Sequence, residues 1–427
     1  KNGYPFHQTS EDAMTFLRQN HHQPFFLYYA TWLVHTPVHT RSEQLLEKYC
    51  RKLGVEKPKD DRGWTMKGQT NPFYCAMVEE LDYHMGKVFN YLNNTEDPRW
   101  PGHKLAENTY VIFTSDNGGM EGHPGEVITD NYPLDKGKIS AMEGGTRVPL
   151  IITGPGIPQG VESQVMVNGL DFYPTLLTFT KTPKPMGKNL DGCDLSKLLT
   201  HEPNNSDLVR NKHGKPRNSM IWHFPHSVAL ESTIRSGGFK LIRNYDHKYN
   251  PDTPELELYQ LYQEVNGKSV RVDIEEANNL VATMPDKANL MNKLLSKGLA
   301  EMNASFPYYN PRAGRIGKEK KLIPSVTSHQ IASNLVKFKF SENGAKVIRG
   351  DLIYTPNGGA QYEEWHRIKG GNQNGNEISF DLPEGATHYF LNLIDENNFL
   401  VSYPQTPDYS ELSKTKDKFA KYALSVE

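Results

Sequence analysis

The 427-residue sequence holds few cysteines, little net charge and no long apolar run. Its three cysteines, Cys50, Cys75 and Cys193, stand far apart and form no CxxC pair. Neither a disulfide framework nor a cysteine-based zinc site is therefore indicated. No apolar run approaches the roughly 20 residues that a membrane-spanning helix needs. A formal net charge of −2 argues against a generally nucleic-acid-binding surface, while leaving room for a local basic pocket. The hydrophobic fraction of 37% and the charged fraction of 23% fit an ordinary globular chain. Its length suits two or three domains.

What is present concentrates between Val111 and Pro149. Val111-Ile112-Phe113-Thr114 is a β-branched and aromatic run that predicts a buried strand. It stops at Ser115-Asp116-Asn117-Gly118-Gly119. Ligands in open α/β sheets bind just beyond the carboxyl ends of strands. Asp116 and Asn117 stand there, one anionic and one amide oxygen, the donor types a hard cation takes. Gly118 and Gly119 allow a sharp backbone turn. The stretch continues through Lys136-Gly137-Lys138 to Glu143-Gly144-Gly145-Thr146-Arg147-Val148-Pro149.

TSDNGG, then Lys138 leading into E-G-G-x-R-V-P, resembles the core signature of the type I sulfatases of the alkaline phosphatase superfamily. A DNG alone would be a turn; two linked motifs in order are specific. The resemblance implies a Ca²⁺ site with Asp116 and Asn117 among its ligands, and Lys138 gripping the sulfate. It also implies a formylglycine nucleophile, made from cysteine in a C-x-P-S-R motif, or a serine in its place. Neither motif is found at any cysteine or serine here, and the metal-holding acidic pair that the family carries on its first strand has no counterpart ahead of His35. The expectation is a sulfatase without its N-terminal portion, whose 427 residues alone are inactive and bind Ca²⁺ weakly. The text before Lys138 departs from the family's R-G-G: it is Asp135-Lys136-Gly137, so Lys136 either shares the sulfate or answers Asp135. Arg147 reads as structural.

Earlier in the chain, Thr9-Ser10-Glu11-Asp12 predicts a capped helix start. Phe25 to Ala30 (FFLYYA) predicts a fully buried strand. His35-Thr36-Pro37 after it matches the family's H-x-P, which makes His35 the histidine that touches the sulfate and protonates the leaving oxygen. An imidazole suits that work near neutral pH, and without the motif a satisfied loop histidine is the plainer reading. Asn71 to Asn94 predicts a helix, with Asn71 as N-cap, Pro72 first, and Phe73, Met77, Val78, Leu81, Met85, Val88, Phe89 and Leu92 on one face. With the strand at Val111 it would form an αβ unit of a mostly parallel sheet. In the loop after Gly119, His123 is a further substrate-contact candidate.

Leu150-Ile151-Ile152 predicts another buried strand. Asn168 to Leu177 resembles the family's D-x-x-P-T-L-L helix start, with Asp171 capping or orienting. Gly238–Ile242 and Glu257–Leu261 predict antiparallel strands, and Pro285 starts a helix through Leu290, Leu294, Leu299 and Met302. In Trp222-His223-Phe224-Pro225-His226, aromatics flank histidines, so His223 is either a sugar contact or core. Residues 320–327 read as a linker. Beyond it, strict alternation at Val336-Phe338-Phe340 and Ile378-Phe380-Leu382, and a hairpin signal at Asp395–Asn398, predict a small β-sandwich. Carbohydrate binding and plain packing are both open for it.

The expected fold class is α/β: a sulfatase-like large mixed sheet flanked by helices, a smaller antiparallel α+β subdomain and a C-terminal β-domain. The expected domains are 1–205 (catalytic), 206–319 (subdomain), 328–405 (β-domain) and 406–427 (polar tail). The expected activity is hydrolysis of a sulfate ester of a carbohydrate. A phosphodiesterase or phosphonate monoester hydrolase of the same superfamily, and a non-catalytic sulfated-glycan binder, are the alternatives. The implied partner is a sulfated carbohydrate, with no nucleic acid and no membrane span. Secretion or a periplasmic location follows from the resemblance alone, and oligomeric state is not specified.

Overall fold

The structure, a computed structural model, describes residues 3–59, 70–121, 129–226, 229–313, 317–407, 414–415 and 417–426. The chain divides into two compact units, Lys1–Arg243 with Leu256–Ala304, and Asn244–Glu255 with Ser305–Glu427. Segment 1–205 and most of 206–304 thus share one unit, while Asn244–Glu255 joins the residues from Ser305 onward.

In chain order, the first unit contains α1 (Gln8–Asn20), α2 (Glu43–Leu53), α3 (Pro72–Asn94), β1 (Val111–Thr114), α4 (Glu143–Thr146), β2 (Leu150–Thr153), α5 (Phe172–Phe179) and α6 (Ser196–Thr200). It continues with β3 (Ser219–Phe224), β4 (Glu231–Ser236), β5 (Phe239–Asn244), β6 (Leu256–Gln260), β7 (Tyr262–Val265), β8 (Lys268–Arg271) and α7 (Pro285–Glu301). This is a mixed α/β architecture.

Helix α3 forms as its sequence predicts. The Asn71 side chain accepts from the amides of Phe73 (3.0 Å) and Tyr74 (3.1 Å), which satisfies two of the orphan donors of the first turn. Phe73, Met77 and Leu92 are buried, but so are Glu80 and His84, while Val78 is exposed. His84 donates from Nε2 to the Pro5 carbonyl (3.2 Å), and its Nδ1 accepts from the Ser10 hydroxyl (2.8 Å). Ser10 is therefore a buried partner of α3 rather than part of a capping box, and α1 starts at Gln8 without a side-chain cap. Helix α2 was not anticipated. Its signals are local: Ser42 caps it, and Gly54 ends it at φ +67°, a left-handed conformation that glycine adopts without strain.

The strand expectations need two corrections. First, β1 pairs β2 antiparallel, Val111 opposite Thr153 and Thr114 opposite Leu150, and that sheet has only two strands among the described residues. The parallel αβ unit is not assembled there. Second, Phe25 to Ala30 is extended but joins no ladder among the described residues. Its burial alternates: Phe25 and Leu27 pack with Val111 against the core of Met14, Leu17, Leu92 and Leu105, while Tyr28 is 82% exposed. The period of two survives without a hydrogen-bonded neighbour. Ile151 on β2 is likewise 63% exposed.

Strands β3-β4-β5-β6 form an antiparallel sheet, as expected for Gly238–Ile242 and Glu257–Leu261. Helix α7 packs on it through Ala288, Met291, Leu295 and Leu299. The expected Leu290, Leu294 and Met302 point to solvent instead. The helix is rotated so that smaller Ala288 and flexible Met291 meet Ile234, Leu241 and Leu258.

The second unit holds β9 (Ser325–Ala332), β10 (Leu335–Ser341), β11 (Val347–Thr355), β12 (His366–Lys369), β13 (Asn372–Asn374), β14 (Glu377–Asp381), β15 (His388–Asp395), β16 (Leu400–Tyr403) and β17 (Leu424–Ser425). Two sheets, β13-β14-β10-β9 and β12-β11-β15-β16 with β17 on β15, share one core. Val336, Phe338, Phe340, Ile378 and Phe380 from the first meet Val347, Leu352, Leu391 and Leu393 from the second. The sandwich is as the alternation predicts. The linker reading of 320–327 is corrected at its end, because β9 begins at Ser325. The tail is not wholly free, since Leu424 pairs with Tyr389. The hairpin turn sits at Asp395, whose Oδ1 accepts from the amides of Asn397 and Phe399, each at 2.9 Å.

Candidate active site

Glycine explains how the two motifs meet. A Cβ on Gly118 would stand 1.6 Å from the Gly144 carbonyl oxygen, and one on Gly144 would stand 2.0 Å from that of Lys136. The loops are in backbone contact that no other residue permits. The amide of Gly118 donates to the Gly145 carbonyl (3.1 Å), and that of Lys138 to the Gly119 carbonyl (2.9 Å). Gly118→Ala is expected to lower stability by about 2–3 kcal/mol through overpacking against backbone. A denaturant midpoint measures it, and an unchanged midpoint refutes the close approach.

The stitching fixes the backbone of Lys138, whose Nζ lies 3.0 Å from the imidazole Nε2 of His35, a residue 103 positions earlier. His35 Nδ1 lies 3.1 Å from the Thr36 carbonyl oxygen, so Nδ1 carries a proton and donates it there. Nε2 is then the acceptor for the ammonium. Both side chains face one open groove of about 3290 Å³, lined also by Asp116, Asn117 and Trp32. The Asp116 carboxylate accepts from the Asn117 amide N–H through Oδ1 (3.0 Å). Asn117 Nδ2 donates to the Gly118 carbonyl (2.9 Å), which leaves its amide oxygen as the outward donor atom. His35 and Lys138 are thus in contact, and Asp116 and Asn117 line the same groove. His123 lies outside the described residues. His223 is on β3 with Nδ1 2.6 Å from the Ser232 hydroxyl, and its neighbour Trp222 lines the groove instead.

Beneath the groove lies a charged network that sequence reading missed. Lys240 on β5 is fully buried, with Nζ 2.9 Å from Glu143 and 2.8 Å from Glu276. Burial works to raise Glu143, but Lys240, Arg235 and Arg147 overcome it and hold the carboxyl at about 2. Burial pushes Glu276 up, against the pull of Lys240. Glu276 also accepts from the Glu143 amide (2.5 Å), and Arg147 reaches both Glu143 (2.8 Å) and the Tyr262 hydroxyl (2.7 Å). The motif's Glu143 and Arg147 thus position the loop.

A second anchor is Glu231, whose carboxylate accepts from the Ala141 amide at 2.5 Å. Burial pushes its carboxyl up to about 7, with Glu257 adding to the rise and Lys136 and Lys240 opposing it. A carboxyl raised in the folded state adds stability that is complete below the unfolded pKa and lost as pH rises through about 7. Glu231→Gln keeps an acceptor for Ala141. It is expected to be more stable than the parent at pH 8, by on the order of 2 kcal/mol, with the gap closing by pH 4. Melting curves across pH test this, and a constant gap refutes it.

The sequence that carries these motifs has matches among known proteins. Residues 2–182 fit the sulfatase family model. The chain carries a sulfatase-family domain. Over 312 residues it is 32% identical to a sulfatase of Formosa agariphila, covering 70% of this chain and 50% of the relative. It is 28% identical over 330 residues to arylsulfatase K of Xenopus laevis, covering 68% and 55%. Human N-acetylgalactosamine-6-sulfatase is 29% identical over 191 residues, covering 44% and 31%. The chain spans about half the length of the first two of these relatives. All four groove residues that the motifs single out fall inside the sulfatase match. No helix among the described residues is long and apolar enough to cross a membrane.

Proposed function

We propose that this sulfatase domain works in a sulfuric ester hydrolase that removes sulfate from a sulfated carbohydrate, acting outside the cytoplasm. The observation that carries the reading is the 3.0 Å meeting of Lys138 Nζ and His35 Nε2 in the groove that Asp116 and Asn117 also line. An ammonium neutralises sulfate oxygens, and an imidazole beside it delivers a proton to the leaving alcohol. A relative named for an N-acetylgalactosamine sulfate supports a sugar substrate.

Asp116 and Asn117 fit a hard cation in kind, each offering an oxygen. They do not complete a shell: among the described residues no group of three or more His, Cys, Asp or Glu side chains is placed to hold a metal. Ca²⁺, when bound there with further ligands, would polarise the sulfate. The chain's own residues do the rest. Lys138 turns its ammonium to the sulfate oxygens, which frees His35 Nε2 to take up a proton and pass it to the leaving oxygen, while the glycine contacts fix the loop that carries Lys138.

The 427 residues contain no C-x-P-S-R motif, so the nucleophile, a formylglycine or a serine, is proposed to come from polypeptide outside them. Accordingly, the 427-residue protein is expected to show no turnover of an aryl sulfate, whereas a chain that also bears the nucleophile motif turns it over faster than the matching aryl phosphate. Robust turnover by the 427 residues alone overturns the first expectation. A preference for phosphate overturns the second and favours a phosphodiesterase.

A further inference from the structure

A second cavity, of about 480 Å³, shares no lining residue with the groove. Its volume is in the range of about 300–1,000 Å³ usual for small-ligand pockets. One wall carries Lys184, Lys188 and Lys197, and the other carries Arg210 and Lys212. Against these five cations stand Asp194 inside the cleft and Asp191 beside it. Asp191 pairs with Lys212 at 3.2 Å, and Asp194 accepts from the Thr178 hydroxyl (2.7 Å) and the Ser196 amide (2.8 Å). No carboxylate among the described residues is within ion-pair distance of Lys184, Lys188 or Lys197. A local excess of positive charge on a chain of net charge −2 focuses anions at one spot.

The backbone is held around Gly192 on one side of the cleft and around Asn211 on the other. A Cβ on Gly192 would stand 1.9 Å from the Leu170 carbonyl oxygen. The Cys193 amide donates to buried Asp171 (2.8 Å), which Arg217 grips through both oxygens at 2.6 and 2.8 Å. On the facing wall, Arg210 donates to the Gly214 carbonyl (2.8 Å), and Asn211 accepts from the amides of His213 and Lys215.

We propose that this cleft binds a sulfate-bearing residue of a polymeric glycan, at a place apart from the groove where the ester is cleaved. The proposal rests on the sulfated-carbohydrate reading above. Lysine ammoniums suit tetrahedral anions as point charges. No aromatic side chain lines the cleft, so it lacks the stacking platforms with which proteins hold single-stranded nucleic acids. A polymer carrying sulfate on successive sugars would meet the cleft with one residue and the groove with another, and gain effective concentration at the groove.

The test is binding of dextran sulfate, with neutral dextran as control, by the 427-residue protein and two variants. Lys184→Gln/Lys188→Gln/Lys197→Gln alters three exposed side chains. It is expected to keep the parent melting temperature, weaken dextran sulfate binding at least tenfold and flatten its salt dependence. Lys138→Ala is expected to retain most of the affinity. Unchanged binding by the triple variant overturns the proposal, as does single-stranded DNA binding as tightly as dextran sulfate. A small aryl sulfate cannot span both places, so its turnover by a chain bearing the nucleophile reports the hydrolase reading separately. Normal turnover with an indifferent triple variant fails the cleft alone.

Discussion

Lys240→Met is expected to destabilise the first unit by about 3–5 kcal/mol, the range for breaking one partner out of a buried ion network. The reason is what it leaves behind. Lys240 is the buried cation shared by Glu143 and Glu276, at 2.9 and 2.8 Å, and both carboxylates are themselves buried. Removing the ammonium strands Glu276 without its charged partner and leaves Glu143 to Arg147 and the more distant Arg235 (3.5 Å). Adding Glu276→Gln to Lys240→Met is expected to return part of the loss, because a neutral amide still accepts from the Glu143 amide. The pH dependence has a definite sign. Glu143 is held down at about 2 in the folded protein, so its stabilisation is complete above the ordinary carboxyl range and fades as pH falls toward 2. The methionine variant should show a shallower acid limb, since Arg147 and Arg235 still face Glu143. Urea unfolding at several pH values measures both effects, and a loss below about 1 kcal/mol would show the network to be a spectator.

The same network marks where the sequence was legible and where it was not. The motifs named four residues, His35, Asp116, Asn117 and Lys138, that line one groove, and glycines at 118, 137 and 144 encode the close backbone approach of the loops around Asp116 and Lys138. Caps and alternation were enough for α3, β10 and β14, whose signals lie within their own residues. Lys240 was opaque for the opposite reason. In a strand of alternating faces it shares a side with Ile242, and a lysine there reads as solvent-facing unless its carboxylate partners, 97 positions before and 36 after, are known. The rotation of α7 was hidden in the same way. Its larger leucines suggested one face, but the facing side chains of β4, β5 and β6 select Ala288 and Met291. Phe25 to Ala30 has a strand's sequence and burial period, and what it lacks is an edge neighbour among the described residues, which no local signal can report.

The second large effect concerns chemistry. In a chain that carries the nucleophile, Lys138→Ala is expected to lower kcat/KM for aryl sulfates by about 10²–10³, the usual consequence of removing one preorganised charge stabiliser. His35→Ala is expected to depend on the leaving group. An activated aryl alcohol leaves with little protonation, so its turnover should fall by no more than about tenfold. A sugar alcohol needs the proton, and its turnover should fall by the roughly 10²–10⁴ that general acid catalysis contributes. That contrast separates proton delivery from sulfate binding, since a pure binding role would cost both substrates alike. The 3.0 Å contact between Lys138 and His35 adds a further consequence. Each orients the other, so the double variant should lose less than the product of the two single losses, as groups acting as a unit do. Full multiplicativity, or equal losses on aryl and sugar sulfates for His35→Ala, would dissolve the pair as the catalytic unit and leave the groove with Lys138 as its only anion anchor among the four residues.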